Sequence, residues 1–395
     1  MTDRPPRVLH VITSLNRGGA EVSLARLVET SAPIEHVAVA TLSGGDTLLA
    51  RRIAAAGVPV HHLGGGGLRL AWSRWRKLVA ASRPDLVHAW LIHPAALLAV
   101  LPHRLPLVIG IRHSLDDLTG EKRRSVAIIR ALAVLGRRAT RICYVSHASQ
   151  LQHEAIGYPA AKGVVIANGY GVQAAPVAPA GAEDLRDKLG LPQDVVLIGQ
   201  LARVHPIKGH DLLLRAFAAI APDRPRAHLV LIGAGTEVID GPVAALAAEL
   251  GIANRIHALG ERDDAPALLS GLDALINPSR SEAFPNAVAE GMLAGLPCIA
   301  TAVGDTARLM DGHGVLVPPG DIDALAQAIL DLTSRSPGER LVVGRKARNH
   351  IVRGFSLEAM AACYGALYTD VRKRRPESRT LRSPDHSAIN PGTPL

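Results

Sequence analysis

Short apolar runs alternate with amphipathic stretches twice over along this chain, and that pattern leaves few folds open. In the first half the runs fall at residues 8–12, 37–41, 58–62, 86–88, 107–111, 142–145 and 164–166, with helix-like stretches between most of them. A second series follows at 195–199, 229–232, 273–276, 298–300 and 315–317, with helical periodicity at 212–220 and 243–250. Strands separated by helices pair in parallel and need helices on both faces, so each series predicts an αβα sandwich. Between them, residues 172–181 are rich in Ala and Pro without periodicity and read as a linker. A chain of 395 residues with 48% hydrophobic content has room for two such cores. The expected organisation is a first domain at 1–171, a linker at 172–192, a second domain at 193–354, a helix at 355–372 opened by Ser356, and a basic, disordered tail at 373–395.

Composition narrows the setting. Cys143, Cys298 and Cys363 are far apart and odd in number, which gives no disulfide framework and no metal spacing and predicts a reducing compartment. The start Met1-Thr-Asp-Arg-Pro-Pro runs straight into the first strand, unlike a signal peptide. The longest apolar region, 91–111, is broken by Pro94, Pro102, His103, Arg104 and Pro106 and does not read as a membrane span. The net charge is +9, with basic clusters at 69–77 around Trp72 and Trp75, at 122–124, at 137–138 and at 372–375. A solvated surface accounts for such charge, and a basic face with interfacial Trp also suits an anionic membrane surface. No motif supports nucleic acid.

In twin sandwiches ligands bind beyond the carboxyl ends of the strands, so the loops there are the candidates. The segment Ser279-Arg-Ser-Glu-Ala-Phe-Pro-Asn-Ala-Val-Ala-Glu-Gly places Glu282 before a predicted helix N-terminus, with Pro285 in its first turn, and Glu290 on its second turn. The helix start attracts phosphate, and the carboxylates accept hydrogen bonds from sugar hydroxyls. Arg203 and Lys208 follow a strand and offer two cations for a departing diphosphate. Gly18-Gly19 opens the first helix, either as a tight turn or as a place where backbone meets an anion; the dinucleotide spacing of glycines is absent. Gly233-Ala-Gly235 reads as a turn. His88, His93 and His113 are expected to cluster at strand ends, in no defensible metal spacing; His113 reads as facing the transferred sugar, and His88 equally as a structural or a functional histidine.

Taken in order, these segments resemble the retaining glycosyltransferases of family four, with the two facing Rossmann-like domains and interdomain cleft of the GT-B fold. The match runs from about Val8 to about Leu367 and is strongest in the Glu, seven residues, Glu segment; Gly18-Gly-Ala-Glu21, Asn168-Gly169, Lys208-Gly-His, Pro278-Ser279 and Gly314-Val-Leu-Val-Pro-Pro-Gly-Asp321 support it. The resemblance implies that Glu282 binds hydroxyls of the sugar, Glu290 the ribose, and Arg203 and Lys208 the diphosphate. It implies that Gly18 and Gly19 approach the donor from the first domain, that backbone around Phe284, Pro285, Asn286 and Ala287 completes the pocket, and that His113 faces the anomeric carbon. No cofactor beyond the nucleoside-diphosphate sugar and no metal is implied, and the last helix is expected to return to the first domain. Asn168-Gly-Tyr-Gly171 departs from the family's Asn-Gly-Val-Asp.

The expected activity is transfer of a sugar from a nucleoside diphosphate to a glycan or lipid-linked acceptor in envelope, lipopolysaccharide or exopolysaccharide assembly. The expected place is the cytoplasm, peripherally on the inner-membrane face. A sugar-nucleotide epimerase, a glycan phosphorylase and a non-catalytic glycan-binding protein are the alternatives.

Overall fold

The computed structural model describes residues 4–374 apart from 17, 31–32, 66, 117–122 and 172–184. The first series of apolar runs forms β1 (Arg7–Ile12), β2 (Glu35–Thr41), β3 (Val60–His62), β4 (Leu86–Trp90), β5 (Leu107–Ile111), β6 (Arg141–Tyr144) and β7 (Gly163–Val165), a seven-stranded sheet in the order β3-β2-β1-β4-β5-β6-β7. The second forms β8 (Val196–Leu201), β9 (Ala227–Ile232), β10 (Ile256–Gly260), β11 (Ala274–Asn277), β12 (Cys298–Thr301) and β13 (Val315–Val317), a six-stranded sheet in the order β10-β9-β8-β11-β12-β13. Neighbouring strands pair in parallel throughout. Parallel strands are covered on both faces, which is why β4 and β5 are buried at every residue.

Alternation along β1 shows how the faces divide. Val8 and Ile12 join one buried cluster, and Leu9 and Val11 join the other. The first of these clusters also takes Met360, Ala361, Tyr364, Leu367, Tyr368 and Val371 from the helix Leu357–Lys373, so this helix packs on the first sheet. Met360, Leu367 and Val371 each contribute roughly 1.5–3 kcal/mol by burial, more than helix propensity supplies.

Several expectations need correction. The linker expected at 172–192 lies outside the described residues up to 184, but Leu185–Lys188 form a short helix that belongs to the second domain. Leu185 is buried in that domain's core, and the carboxylate of Asp273 anchors Arg186. The tail expected at 373–395 lies outside the described residues from 375 on, and Lys373 is still helical. Trp75, expected at an interface, is 3% exposed, because the helix Gly67–Ser82 turns Trp75 and Leu78 into the core with Trp72 packed beside them. The helix Pro337–Gly354 was not anticipated.

Candidate active site

Strand order reverses between β1 and β4 in the first sheet and between β8 and β11 in the second. At such a reversal neighbouring loops diverge and leave a crevice beyond the strand ends. The loop after β1 carries Gly18 and Gly19, that after β8 carries Arg203 and Lys208, and that after β11 carries Glu282.

The β11 loop leads to the helix Asn286–Leu293, one residue later than expected, because Pro285 stands at its N-cap. No side chain caps this helix. The Asn286 N–H donates back to the Phe284 carbonyl at 3.0 Å, and the N–H groups of Ala287 and Val288 have no acceptor among the described residues. Open donors at a helix start are an anion site. Phe284 is 6% exposed and packs against Phe355, so it offers backbone rather than its ring.

Two glycines let the neighbouring loops press onto this segment. Gly209 has φ +65°, and a Cβ there would lie 2.2 Å from the Pro278 carbonyl oxygen. Gly304 has φ +53°, and its Cβ would lie 1.9 Å from the Glu282 carbonyl oxygen. The first of these contacts brings Lys208 to Glu282: Lys208 Nζ donates to Glu282 Oε1 at 2.6 Å. Ser279 Oγ donates to the same oxygen at 2.8 Å, and Gln200 Nε2 holds the Lys208 carbonyl at 2.8 Å. The Lys208 and Glu282 side chains are 22% and 11% exposed, so the pair is sheltered and still reachable. An ammonium has three donors, and one suffices for Glu282. Arg203 is exposed and has no hydrogen bond among the described residues; its charge, with that of Arg112, opposes the burial that raises the Glu21 carboxyl above its ordinary range.

The first domain meets this segment closely. Gly18 caps the helix Gly19–Glu29 in extended backbone, and a Cβ on Gly19 would lie 2.7 Å from Asn286 Nδ2. Two helix N-termini therefore face each other across the cleft. Asn286 Oδ1 accepts from Asn168 Nδ2 at 2.7 Å and from the Tyr170 hydroxyl at 2.6 Å. Glu290 Oε1 accepts from Arg26 Nη2 at 3.0 Å, and Arg26 lies over the Tyr170 ring at 5.2 Å. Arg112 donates to Asn168 Oδ1 and to the Tyr364 hydroxyl, and stacks 5.0 Å from the Trp90 ring centre. Sequence reasoning missed Arg26, Arg112 and Tyr170. Asn168 had a signal in the Asn-Gly pair; the arginines are placed only by tertiary structure.

The three histidines stand at three different elements. His88 lies inside β4 rather than at its end, is fully buried, and pairs through Nδ1 with the Tyr368 hydroxyl at 2.7 Å. His93 lies on the helix Ile92–Val100. His113 follows β5 and meets His153, Nε2 to Nε2, at 3.2 Å. The protons on this pair can be assigned. The Ser149 carbonyl, 2.7 Å from His153 Nδ1, can only accept, so that nitrogen carries the hydrogen. Burial lowers His153 to about 4, and burial with His153 lowers His113 to about 3. Both rings are neutral at pH 7, so His113 Nε2–H donates to His153 and His113 Nδ1 keeps a lone pair. His113 has no hydrogen bond to the other predicted site residues.

Among the described residues no three His, Cys, Asp or Glu side chains group as they would around a metal ion. No described helix is long and apolar enough to cross a membrane. A cleft of about 370 Å³ opens at the rim between the domains, where Leu15, Asn16 and Thr47 face Glu261 and Asp263. The Asn286 contacts close the two faces on one another further in.

Residues 17–173 match Glycosyltransferase Family 4, and residues 192–335 match Glycosyl transferases group 1. A D-inositol 3-phosphate glycosyltransferase of Stackebrandtia nassauensis is 35% identical over 211 residues, which are 50% of this chain and 47% of that protein. The matching segment thus spans about half the length of that relative. The Escherichia coli UDP-Gal:alpha-D-GlcNAc-diphosphoundecaprenol alpha-1,3-galactosyltransferase is 26% identical over 306 residues, 75% of this chain and 78% of that one. Among solved structures, Anabaena Alr3699/HepE in complex with UDP and glucose superposes with a TM-score of 0.81 at 23% identity, over 92% of this chain and 100% of that one. With one match over each sheet in chain order, the chain belongs to the family four, group 1 glycosyltransferases and has their GT-B fold.

Proposed function

We propose that this protein transfers a sugar from a nucleoside-diphosphate donor to a glycan or lipid-linked acceptor, with retention of anomeric configuration and without a metal ion. The observation that carries this reading is the Lys208–Glu282 pair, set beside the uncapped start of the helix Asn286–Leu293 and facing Gly19. Once the Asn286 side chain withdraws from Gly19, the diphosphate sits at the two helix starts, where open N–H groups and dipole ends favour it. Lys208 keeps Glu282 with one donor and grips phosphate with the others, and Arg203, exposed on the same loop, adds a second cation as the sugar bond breaks. Glu282 accepts from sugar hydroxyls through its remaining lone pairs. Its Oε1 already accepts from Lys208 and Ser279, which makes it a poor nucleophile and favours a front-face reaction in which the leaving phosphate takes the acceptor proton. Glu290 keeps Oε2 for the ribose while Arg26 holds Oε1. His113 Nδ1 accepts from a hydroxyl of the sugar.

A UDP-sugar is the donor the relatives favour, since the names of two of them contain UDP. A membrane-borne acceptor on the cytoplasmic face is supported by the helix Gly67–Ser82, which exposes Arg69, Leu70, Arg76 and Lys77. The test is a thermal-shift panel of UDP, GDP, ADP, CMP and dTDP with their sugars, followed by turnover with the donor that stabilises. Turnover that needs neither Lys208 nor Glu282 refutes the site, and isomerised free donor or a requirement for inorganic phosphate refutes transfer in favour of an epimerase or a phosphorylase.

A further inference from the structure

One loop of the second domain touches both halves of the candidate site. After β12 the chain runs through Gly304 and Asp305 into the helix Thr306–Met310. Gly304 lies against the Glu282 carbonyl, as described above. Asp305 holds the N-cap position of its helix, where an aspartate ordinarily accepts from the N–H groups of its own first turn. It makes no such bond. Both carboxylate oxygens reach across the cleft instead: Oδ2 accepts from the His147 N–H at 2.9 Å and Oδ1 from the Ala148 N–H at 2.8 Å. Asp305 is 6% exposed, so these charge-assisted bonds are shielded from water.

The helix it grips, His147–Ala155, already has a cap in Ser146, whose hydroxyl accepts from the Ser149 N–H at 3.1 Å. The first-turn donors are therefore divided between its own cap and a carboxylate from the other domain, whose negative charge also meets the positive end of the helix. The same helix holds His113 at two points. Ser149 Oγ donates to the His113 carbonyl at 2.8 Å, and His153 Nε2 accepts from the His113 ring at 3.2 Å. A continuous path leads from the Glu282 backbone through Gly304 and Asp305 into this helix and on to the His113 imidazole.

We propose that Asp305 is a positioning residue of the transfer reaction: by clamping the start of the helix His147–Ala155 it fixes the His113 imidazole relative to the Glu282 carboxylate. The proposal rests on the reading of Glu282 and His113 as the groups that face the sugar. A reacting geometry displaced by about 1 Å loses on the order of 100-fold in rate, so a clamp that never touches substrate controls kcat.

The test compares wild type with Asp305→Ala and Asp305→Asn in two arms. The first measures UDP release from UDP-glucose. Asp305→Ala lowers kcat about 10- to 100-fold with KM changed less than about threefold, and Asp305→Asn, which keeps one acceptor, falls between. The second arm needs no ligand: the His113 ring is titrated by NMR, and in Asp305→Ala its midpoint moves up toward the ordinary histidine range as the helix loosens. An unchanged His113 titration in folded Asp305→Ala overturns the proposal, and so does a raised KM with kcat kept. If Asp305→Ala does not fold, Ser149→Ala and Asp305→Asn carry the test. Ser149→Ala must reproduce the His113 shift, and its combination with Asp305→Asn must fall short of the sum; a fully additive pair overturns the proposal. A wild type inactive with UDP-glucose and with every donor of the thermal-shift panel refutes the proposed function, while the NMR arm still decides the link between Asp305 and His113.

Discussion

A double-mutant cycle on Lys208 and Glu282 separates what their pair does for the fold from what it does for the donor. The bond is 2.6 Å long between side chains 22% and 11% exposed, so each partner depends on the other for most of its compensation. Lys208→Met leaves the Glu282 carboxylate with the Ser279 hydroxyl alone. Losing a sheltered, charge-assisted bond in this way costs about 2 kcal/mol. Glu282→Gln leaves the ammonium only a neutral amide oxygen in place of a carboxylate, at a similar cost, again about 2 kcal/mol. The double variant replaces both charges with neutral groups of similar shape, so its loss is also about 2 kcal/mol rather than the sum of about 4. In a unit of this size 1 kcal/mol moves Tm by roughly 2–4 °C, so each single variant melts about 4–8 °C early. Trp72, Trp75 and Trp90 all lie in the first domain, so calorimetry reads the second domain better than fluorescence does. Turnover behaves differently: both singles and the double fall at least about 100-fold, because one group serves the phosphate and the other the sugar. Stability losses that simply add would show that the pair does not form. Wild-type turnover in either single variant would refute the site.

Three further outcomes are expected. Gly304→Ala puts a Cβ 1.9 Å from the Glu282 carbonyl at φ +53°; the left-handed backbone alone costs about 1–2 kcal/mol, and displacement of the Glu282 segment lowers kcat about 10-fold, read by melting and by turnover. His10, His36, His88, His113 and His153 are all held neutral by burial, the last four at about 4, 3, 3 and 4. Their folded values lie below the unfolded value, so the unfolded chain binds more protons in acid; stability is full above about pH 6.5 and falls as pH drops below it, with uptake on the order of five protons on unfolding at pH 5.5, measurable by calorimetry in buffers of different ionisation heat. Removing divalent metal with EDTA leaves turnover within about twofold, and a loss restored by added magnesium or manganese would refute the metal-independent reading.

Much of this molecule is legible in its sequence because parallel sheets write themselves plainly. Strands buried on both faces, such as Leu107–Ile111, are continuous apolar runs, and the loops at their carboxyl ends follow them directly in the chain. Glu282, Lys208 and Gly19 could be found for that reason: each stands a few residues beyond a strand. The helix Pro337–Gly354 escaped because its surface is mostly polar and weakly patterned, although Ser336, Pro337 and Glu339 spell out its start as a capping box. The partners across the cleft escaped for a different reason. Arg26 reaches Glu290, 264 positions further along the chain, and nothing local distinguishes it from any helix-surface arginine. Asp305 is the sharper case, since a local reading assigns it to its own helix as an ordinary N-cap. That assignment fails because a second helix start, from the other domain, lies within reach of both carboxylate oxygens, and two shielded donors outweigh one local bond. A residue whose local role is left unfilled while its side chain is fully bonded elsewhere marks where two domains are held in register, and only the tertiary structure brings that mark into view.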